Sequence, residues 1–548
     1  MAIATRWSPR LPDWSAVLWL TGLTGALYHS ALGGFFRWDD PHILLQAHLY
    51  TPWQIFSDPE AWRFLSAAHL TPWLTFSYWL DTQLFGLLPM GFYAHQLLAI
   101  AGAGLALYAL IRRFAPVWVA LGGATLFLVG PPVAVVAQQL MTRHYIEGLV
   151  FALLATLCYL TALDKDRWIW ILPGALLYLL AVAAKEIYVP LILVLTVWHF
   201  LYEDRRQWTW LLPFLAVALA YIPWRFYMLG EGIGGYGQSL NLLAVALLPI
   251  LLFEELFGQM AIFFWAVVAW AWLGGNRHLF WIVLTILVAM WLPLIPVTAA
   301  FQSPSPGNES VPRYALLPYA LLCLSVSAGL ARLRAVDSGV GIVVVLVGVV
   351  LWWRAGVVWG AILPKADYFD ALGSHLLDTI PRGPLWIDGD YFYVYAPMLV
   401  RLNRLVNHRE SPQLYHDPIL FDPTHPPANL HHYSNDCRCI LPIQNLAQRI
   451  TLWMGQRREV PLFLQVRHLS ATRLEYQAGP YRTGQYHFIS RDFGNVPLFA
   501  GQNRPRTAVL QWQGYLKYTA PEGWITYSPF LDINLTRQTT FEWNRSLP

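Results

Sequence analysis

Charge is scarce in this chain. Only 12% of its 548 residues are Asp, Glu, Lys or Arg, about half the share that a soluble domain carries. That scarcity excludes a soluble globular protein of ordinary composition. A net charge of +4 gives no basic surface of the kind nucleic-acid binding demands. Cysteine is rare as well, and four residues cannot build the disulfide framework of a small secreted scaffold. Cys158 and Cys323 fall in apolar runs, while Cys437 and Cys439 form a Cys-x-Cys in a polar region. The spacing of that pair from His431-His432 is unusual for zinc, so a free or locally oxidised thiol pair is expected. Residues 1–14 lack the cleavage pattern of a removable leader, so the first apolar run is expected to stay as an anchor. Internal repeats and low-complexity tracts are missing too.

Apolar sequence fills the space that charge leaves. The chain is 56% hydrophobic, and its 28 Trp suit belts at two membrane interfaces. A bilayer core takes about 20 apolar residues per helix. Runs of that kind lie near 15–34, 92–111, 117–135, 146–163, 168–184, 187–202, 209–228, 257–275, 279–297, 314–331 and 338–359. The expected fold class is therefore a polytopic α-helical membrane protein with about eleven spans. The run 240–256 contains Pro249 and ends at Glu254-Glu255, which predicts an interfacial helix on the outer side.

Positive charge orients these spans. One side receives Arg6, Arg10, Arg112-Arg113, Lys165, Arg167, Arg205-Arg206, Arg277, Arg332 and Arg334. Lys and Arg in short loops mark the cytoplasm. The N-terminus is then cytoplasmic, and everything after residue 360 is extracytoplasmic. Residues 1–360 form the membrane domain, with a long first outer loop at 35–90. In that loop Ser57-Asp58-Pro59-Glu60 reads as a helix start, and 70–88 reads as amphipathic helix on the outer leaflet. Gly130-Pro131-Pro132 predicts a kink. From about 365 the composition turns polar, with short runs such as Leu474-Glu-Tyr-Gln, Tyr486-His-Phe-Ile and Trp524-Ile-Thr-Tyr. Residues 361–548 are expected to form an extracytoplasmic α/β or mainly β domain.

The chemistry is expected at the outer boundary. Phe36-Arg37-Trp38-Asp39-Asp40-Pro41-His42 follows the first span directly. A solvated loop would account for an isolated acidic pair, but charge beside lipid is costly and marks function. Arg143, Lys185 and Arg313 stand at outer helix ends on the same side. Each alone would read as a basic side chain snorkelling to the interface. Together, against the positive-inside bias, they suit an anionic head group, above all phosphate. Carboxylates beside a phosphate site suggest acid–base work on the molecule that the phosphate holds.

The stretch His69-Leu-Thr-Pro-Trp-Leu through Asp81-Thr-Gln-Leu-Phe-Gly to Pro89-Met-Gly-Phe-Tyr-Ala-His95 resembles the first outer loop of the GT-C glycosyltransferases, in the protein O-mannosyltransferase-like branch. The acidic pair after the first span, Arg143 after the third, Ala184-Lys185-Glu186 between two spans and Arg313-Tyr314 follow the same order. Two departures are His69-Leu70-Thr71-Pro72, where relatives often carry Tyr-Arg-Pro-Leu, and Gly130-Pro131-Pro132, where they often carry His-Pro. The resemblance covers about residues 15–335. It implies transfer of a sugar from a polyprenyl-phosphate carrier to a hydroxyl acceptor, with the bilayer delivering the donor. Asp39 is then the expected base and Asp40 its alternative or its orienting partner. Arg143, Lys185 and Arg313 are expected to hold the leaving phosphate. His42, His69, His95, Glu186 and Tyr314 are expected to line the site, with Glu186 paired to Lys185. No metal is expected, because a third acid in suitable context is limited to Glu147 or Glu231. The absence of a sorting signal favours a bacterial inner membrane.

Other functions share some of these features. A transporter or lipid flippase would also carry spans and buried charge, but it predicts repeat symmetry and broken helices at the midplane. A glycan polymerase or ligase of another class has no need of an acidic pair directly after the first span. A catalytically inert assembly protein would keep the outer domain and lose the site.

Overall fold

The computed structural model describes residues 11–66, 69–202, 205–230, 313–331 and 338–377, with 243, 246–247 and 295. It also describes 383–543 apart from 388–394, 409–411, 421–424, 471–472, 491–493, 499–502, 506–510 and 535–538. The expected spans 257–275 and 279–297 and most of the run 240–256 lie outside these residues. The chain divides into two compact units. The first comprises Met1–Gly34, Leu70–Phe226 and Gln238–Leu363. The second comprises Phe35–His69, Tyr227–Gly237 and Pro364–Pro548. The first half of the outer loop thus groups with the C-terminal region.

In chain order the helices are α1 (Leu11–Tyr28), α2 (Asp40–Leu49), α3 (Pro52–Ser57), α4 (Pro59–Arg63), α5 (Pro72–Phe85) and α6 (Pro89–Arg112). They continue as α7 (Val117–Val129), α8 (Pro131–Gln138), α9 (Arg143–Lys165), α10 (Ile171–Ala184), α11 (Leu191–Tyr202) and α12 (Leu212–Leu229). Helices at Leu316–Leu330 and Ser338–Leu377 follow. Among the described residues four helices are long and apolar enough to cross a membrane, or five if α7 and α8 make one bent span. The chain is an integral membrane protein. The last of these helices runs on to Leu377, past the end expected at 359, with Pro364 inside it. Proline there costs the helix a backbone hydrogen bond without reversing its φ.

Proline starts many of these helices. Pro52, Pro59, Pro72, Pro89 and Pro131 each occupy a first position, where the missing N–H is one that the helix could not have used. Thr51 and Gln54 close a capping box on α3, and Asp58 accepts the Glu60 amide at 2.9 Å to cap α4. The expected start at Ser57-Asp58-Pro59-Glu60 is this cap.

The bend between α7 and α8 is 53° and falls at Gly130-Pro131-Pro132, as expected. Pro131 and Pro132 have no N–H to give the last turn of α7. Two buried tyrosines supply hydroxyls instead: Tyr28 donates to the Leu128 carbonyl and Tyr319 to the Leu126 carbonyl. The carbonyls freed by the break therefore stay satisfied inside an apolar core. That core joins Leu20, Ile100, Leu107, Phe127, Ile146 and Leu316. A Cβ at Gly130 would overlap the Tyr319 ring, so the residue permits this close approach.

The second unit mixes α and β structure. β1 (Leu385–Trp386), β2 (Leu414–Tyr415), β3 (His431–Ser434) and β4 (Cys439–Pro442) form a sheet in the order β2-β1-β3-β4. β1 pairs in parallel with β2 and β3, and β3 pairs antiparallel with β4. Helices Tyr395–Asn407 and Leu446–Gln456 accompany it. The later strands are β5 (Leu462–Ser470), β6 (Arg473–Gly479), β7 (Gln485–Ser490), β8 (Gly494–Leu498) and β9 (Asn503–Pro505). After them come β10 (Gln511–Thr519), β11 (Ile525–Tyr527), β12 (Leu531–Asn534) and β13 (Thr539–Trp543). They build two antiparallel sheets, β11-β10-β7-β8 with β12 on β10, and β13-β5-β6-β9. In β12 Leu531 and Ile533 are buried while Asp532 and Asn534 are exposed, the two-residue period of a half-buried strand. Leu464, Val466, Phe488, Leu516 and Ile533 share one core.

Candidate functional site

The acidic pair is divided by the start of α2. Asp40 is fully buried, and its Oδ2 accepts the Arg37 amide at 2.7 Å. Its own amide donates to the Arg37 carbonyl at 2.9 Å. Asp39 is half-buried, and its carbonyl accepts the amides of His42 and Ile43, each at 3.0 Å. Successive side chains entering a helix point about 100° apart. One carboxylate therefore ties the turn while its neighbour faces another way. Trp38, just before the pair, sits in the left-handed region at φ 45°.

Two expected lining histidines lie in this unit. The His42 ring stands edge-on to Phe64 at 5.0 Å. Burial pushes its pKa down to about 4, with Arg401 adding to the effect. The His69 ring nitrogen Nδ1 lies 3.1 Å from Ser66 Oγ, and its carbonyl accepts from the Trp62 indole at 3.0 Å.

A second group belongs to the first unit. Lys185 caps the end of α10 in an extended conformation, and the short turn Glu186–Tyr188 follows at once. The sequence leaves no linker there, so both charges are confined to the junction. Lys185 is 7% exposed, and its ammonium lies 5.2 Å from the Tyr145 ring centre. Glu186, Arg313 and Arg225 are its charged neighbours, with Tyr314 beside them. The Arg313 guanidinium stands 5.3 Å over the Tyr314 ring. Glu186 was expected to pair with Lys185, but its hydrogen bonds come from Arg225, from the Tyr221 hydroxyl at 3.2 Å and from the Leu70 amide at 3.3 Å. Arg225 is the residue that sequence reading missed here. It lies one turn after Tyr221 on α12, and that (i, i+4) spacing was the available signal.

Arg143 does not join this group by hydrogen bond. It is 0% exposed, and it is held by Asp81, by the Phe92 carbonyl at 2.6 Å, by Ser77 Oγ at 3.2 Å and by Gln96 Oε1 at 3.3 Å. The rings of Tyr78 and Phe92 cover it at 5.0 and 5.7 Å. His95 bridges the same network, with Nδ1 2.7 Å from Asp81 and Nε2 3.3 Å from Glu147. Glu147 also accepts from the Trp73 indole at 2.9 Å and from Ser77 at 2.8 Å. Four of the five guanidinium N–H donors are thereby bonded to the protein. Arg143, expected among the phosphate cations, lies at the centre of a buried network of α5, α6 and α9.

The structure thus brings together Lys185, Glu186, Arg313 and Tyr314, and separately Arg143 and His95. Asp39, Asp40, His42 and His69 belong to the second unit. Cys437 and Cys439 are joined in a disulfide, the oxidised form of the expected thiol pair. Among the described residues no group of three or more His, Cys, Asp or Glu side chains is arranged to hold a metal ion.

A scan against protein-family models finds no match, and a search of curated proteins finds none. Solved structures similar to this chain include the following three. ArnT from Cupriavidus metallidurans, bound to undecaprenyl phosphate, shares 13% identity over 83% of this chain and 93% of its own, with a TM-score of 0.45. The Archaeoglobus fulgidus oligosaccharyltransferase in its apo form shares 12% over 73% of this chain and 64% of its own, with a TM-score of 0.44. AglB from Archaeoglobus fulgidus, in complex with an inhibitory peptide and a dolichol-phosphate, shares 11% over 86% of this chain and 74% of its own, with a TM-score of 0.45.

Proposed function

We propose that this protein is an inverting glycosyltransferase. It moves a sugar from a polyprenyl-phosphate carrier to a hydroxyl acceptor at the extracytoplasmic face of the membrane. The observation that carries the reading is the division of the acidic pair, with Asp40 bonded inside the turn and Asp39 half-buried beside it.

In this reading Asp39 accepts the proton of the acceptor hydroxyl as its oxygen attacks the anomeric carbon. The new C–O bond forms on the face opposite the carrier, and the bond to the phosphate oxygen breaks. Asp40 is a positioning residue. Lys185 and Arg313 hold the phosphate and stabilise the charge it gains on leaving. Glu186 neutralises Arg225 and keeps it within the cationic group without making it a phosphate ligand. The leaving phosphate needs no proton from the protein, so the scheme uses one base and no partner acid. It is also written without a metal ion, since no third acid stands beside the pair in the sequence.

The test is transfer by the purified protein from a panel of polyprenyl-phosphate sugars to peptide, lipid and glycan hydroxyls. Transfer from one carrier-linked sugar, undiminished by a chelator, supports the reading. Absence of transfer from every donor contradicts it, and loss of transfer in the chelator contradicts the metal-free scheme.

A further inference from the structure

A third carboxylate acts on the acidic loop from far along the chain. Asp370 lies on the helix that ends at Leu377, within the second unit, as do residues 35–69. It receives the Arg37 side chain through two parallel hydrogen bonds, Nε to Oδ1 at 2.7 Å and Nη2 to Oδ2 at 2.6 Å. The Arg37 side chain is 6% exposed and that of Asp370 is 29% exposed, so the guanidinium is withdrawn from water while its partner stays partly wet. Asp370 Oδ1 also accepts the Phe35 amide at 3.1 Å.

Two neighbours reinforce this junction. The Tyr395 hydroxyl lies 2.6 Å from the Phe36 carbonyl and 3.1 Å from that of Phe369. The Trp38 ring, 7% exposed, lies against Phe369 at 5.3 Å. Each residue from Phe35 to Trp38 is therefore tied to 369–370 or to Tyr395. Trp38 holds a left-handed backbone, which a residue with a side chain keeps only where its surroundings impose it. Arg37 then passes the restraint on, because its amide donates to Asp40. Asp39 is the residue between these fixed points.

We propose that Asp370 is a positioning residue for the Asp39 base, acting through the Arg37 guanidinium. The proposal rests on the transferase reading above. A bidentate Arg–carboxylate pair fixes direction as well as distance, and small misplacements of a reacting group cost up to about a hundredfold in rate. Loosening the clamp leaves donor binding intact and lowers the rate of the chemical step.

The experiment compares wild type, Asp39→Asn, Asp370→Asn and Arg37→Lys in lipid nanodiscs, by steady-state transfer and by hydrogen exchange of the amides in 35–40. For Asp370→Asn and Arg37→Lys the expected result is a kcat lowered roughly tenfold to a hundredfold. KM for the donor stays within about twofold, and exchange in 35–40 quickens. Arg37→Lys keeps the charge and loses the fork, so it decides the matter if Asp370→Asn does not fold. Wild-type kcat and wild-type exchange in both variants overturn the proposal. If Asp39→Asn transfers as well as wild type, or wild type transfers nothing, the transferase reading fails. The exchange arm then judges the clamp alone: faster exchange upholds it and unchanged exchange overturns it.

Discussion

The guanidinium of Arg143 is closed on the carboxylate of Asp81, and the two side chains are 0% and 2% exposed. A buried charge that loses its partner typically costs about 3–5 kcal/mol. Arg143→Ala takes the guanidinium from buried Asp81, leaving it His95, and is expected to destabilise the protein by that order. The melting temperature of the purified protein should fall, while the folded fraction binds polyprenyl phosphate with wild-type affinity. A normal melting temperature with lost phosphate binding would return Arg143 to the phosphate site.

Lys185 and Arg313 carry the opposite expectation. Lys185 lies beside the Tyr145 ring and Arg313 over the Tyr314 ring, with Glu186 and Arg225 among the charges around Lys185. A hydrogen bond to a charged group is worth about 1.5–3 kcal/mol, so Lys185→Ala should weaken polyprenyl-phosphate binding roughly tenfold to a hundredfold. Titration of the lipid phosphate against wild type and variant checks this. Arg313→Ala should weaken binding in the same direction. Unchanged affinity in both variants would remove the phosphate role from this group.

The second unit should be sensitive to acid. Burial pushes His42, His416 and His487 from an ordinary 6.5 down to about 4, with Arg401 adding to the effect at His42 and Lys517 at His487. As pH falls from about 6.5 to about 4 the unfolded chain takes up these protons first. The stability held by neutral histidines is therefore complete above about 6.5 and is lost progressively towards 4. The melting temperature should drop by several degrees between pH 7.5 and pH 5. Equal melting temperatures at the two values would contradict the burial of these rings.

Much of this fold was legible in the sequence because its causes are local. Asp58 and Pro59 announce a helix start by their own chemistry. Gly130-Pro131-Pro132 removes two amides wherever it occurs, so the bend follows. The strand at 474 shows its alternation within a few residues, and the short runs at 486 and 525 are bounded by turn residues. The order of Asp39-Asp40, Arg143, Lys185-Glu186 and Arg313 carried the resemblance. What remained hidden is pairing at a distance. The sequence presents Arg143 as a cation at a helix end, and only the folding of α5 against α9 encloses it. Asp370 stands 333 residues from Arg37 and carries no local mark of its role. Glu186 faced two basic partners, and position along α12 rather than adjacency decided for Arg225.

Sugar transfer by Asp39→Asn, set beside Asp40→Asn and wild type with donor binding measured in parallel, tests the central claim most directly. The amide is nearly the same size as the carboxylate and cannot take a proton from the acceptor. The account predicts that Asp39→Asn binds the carrier phosphate normally and loses transfer by roughly a hundredfold or more. Asp40→Asn should lose less and should also lower the melting temperature, since its carboxylate holds the turn. Full transfer by Asp39→Asn would contradict the account.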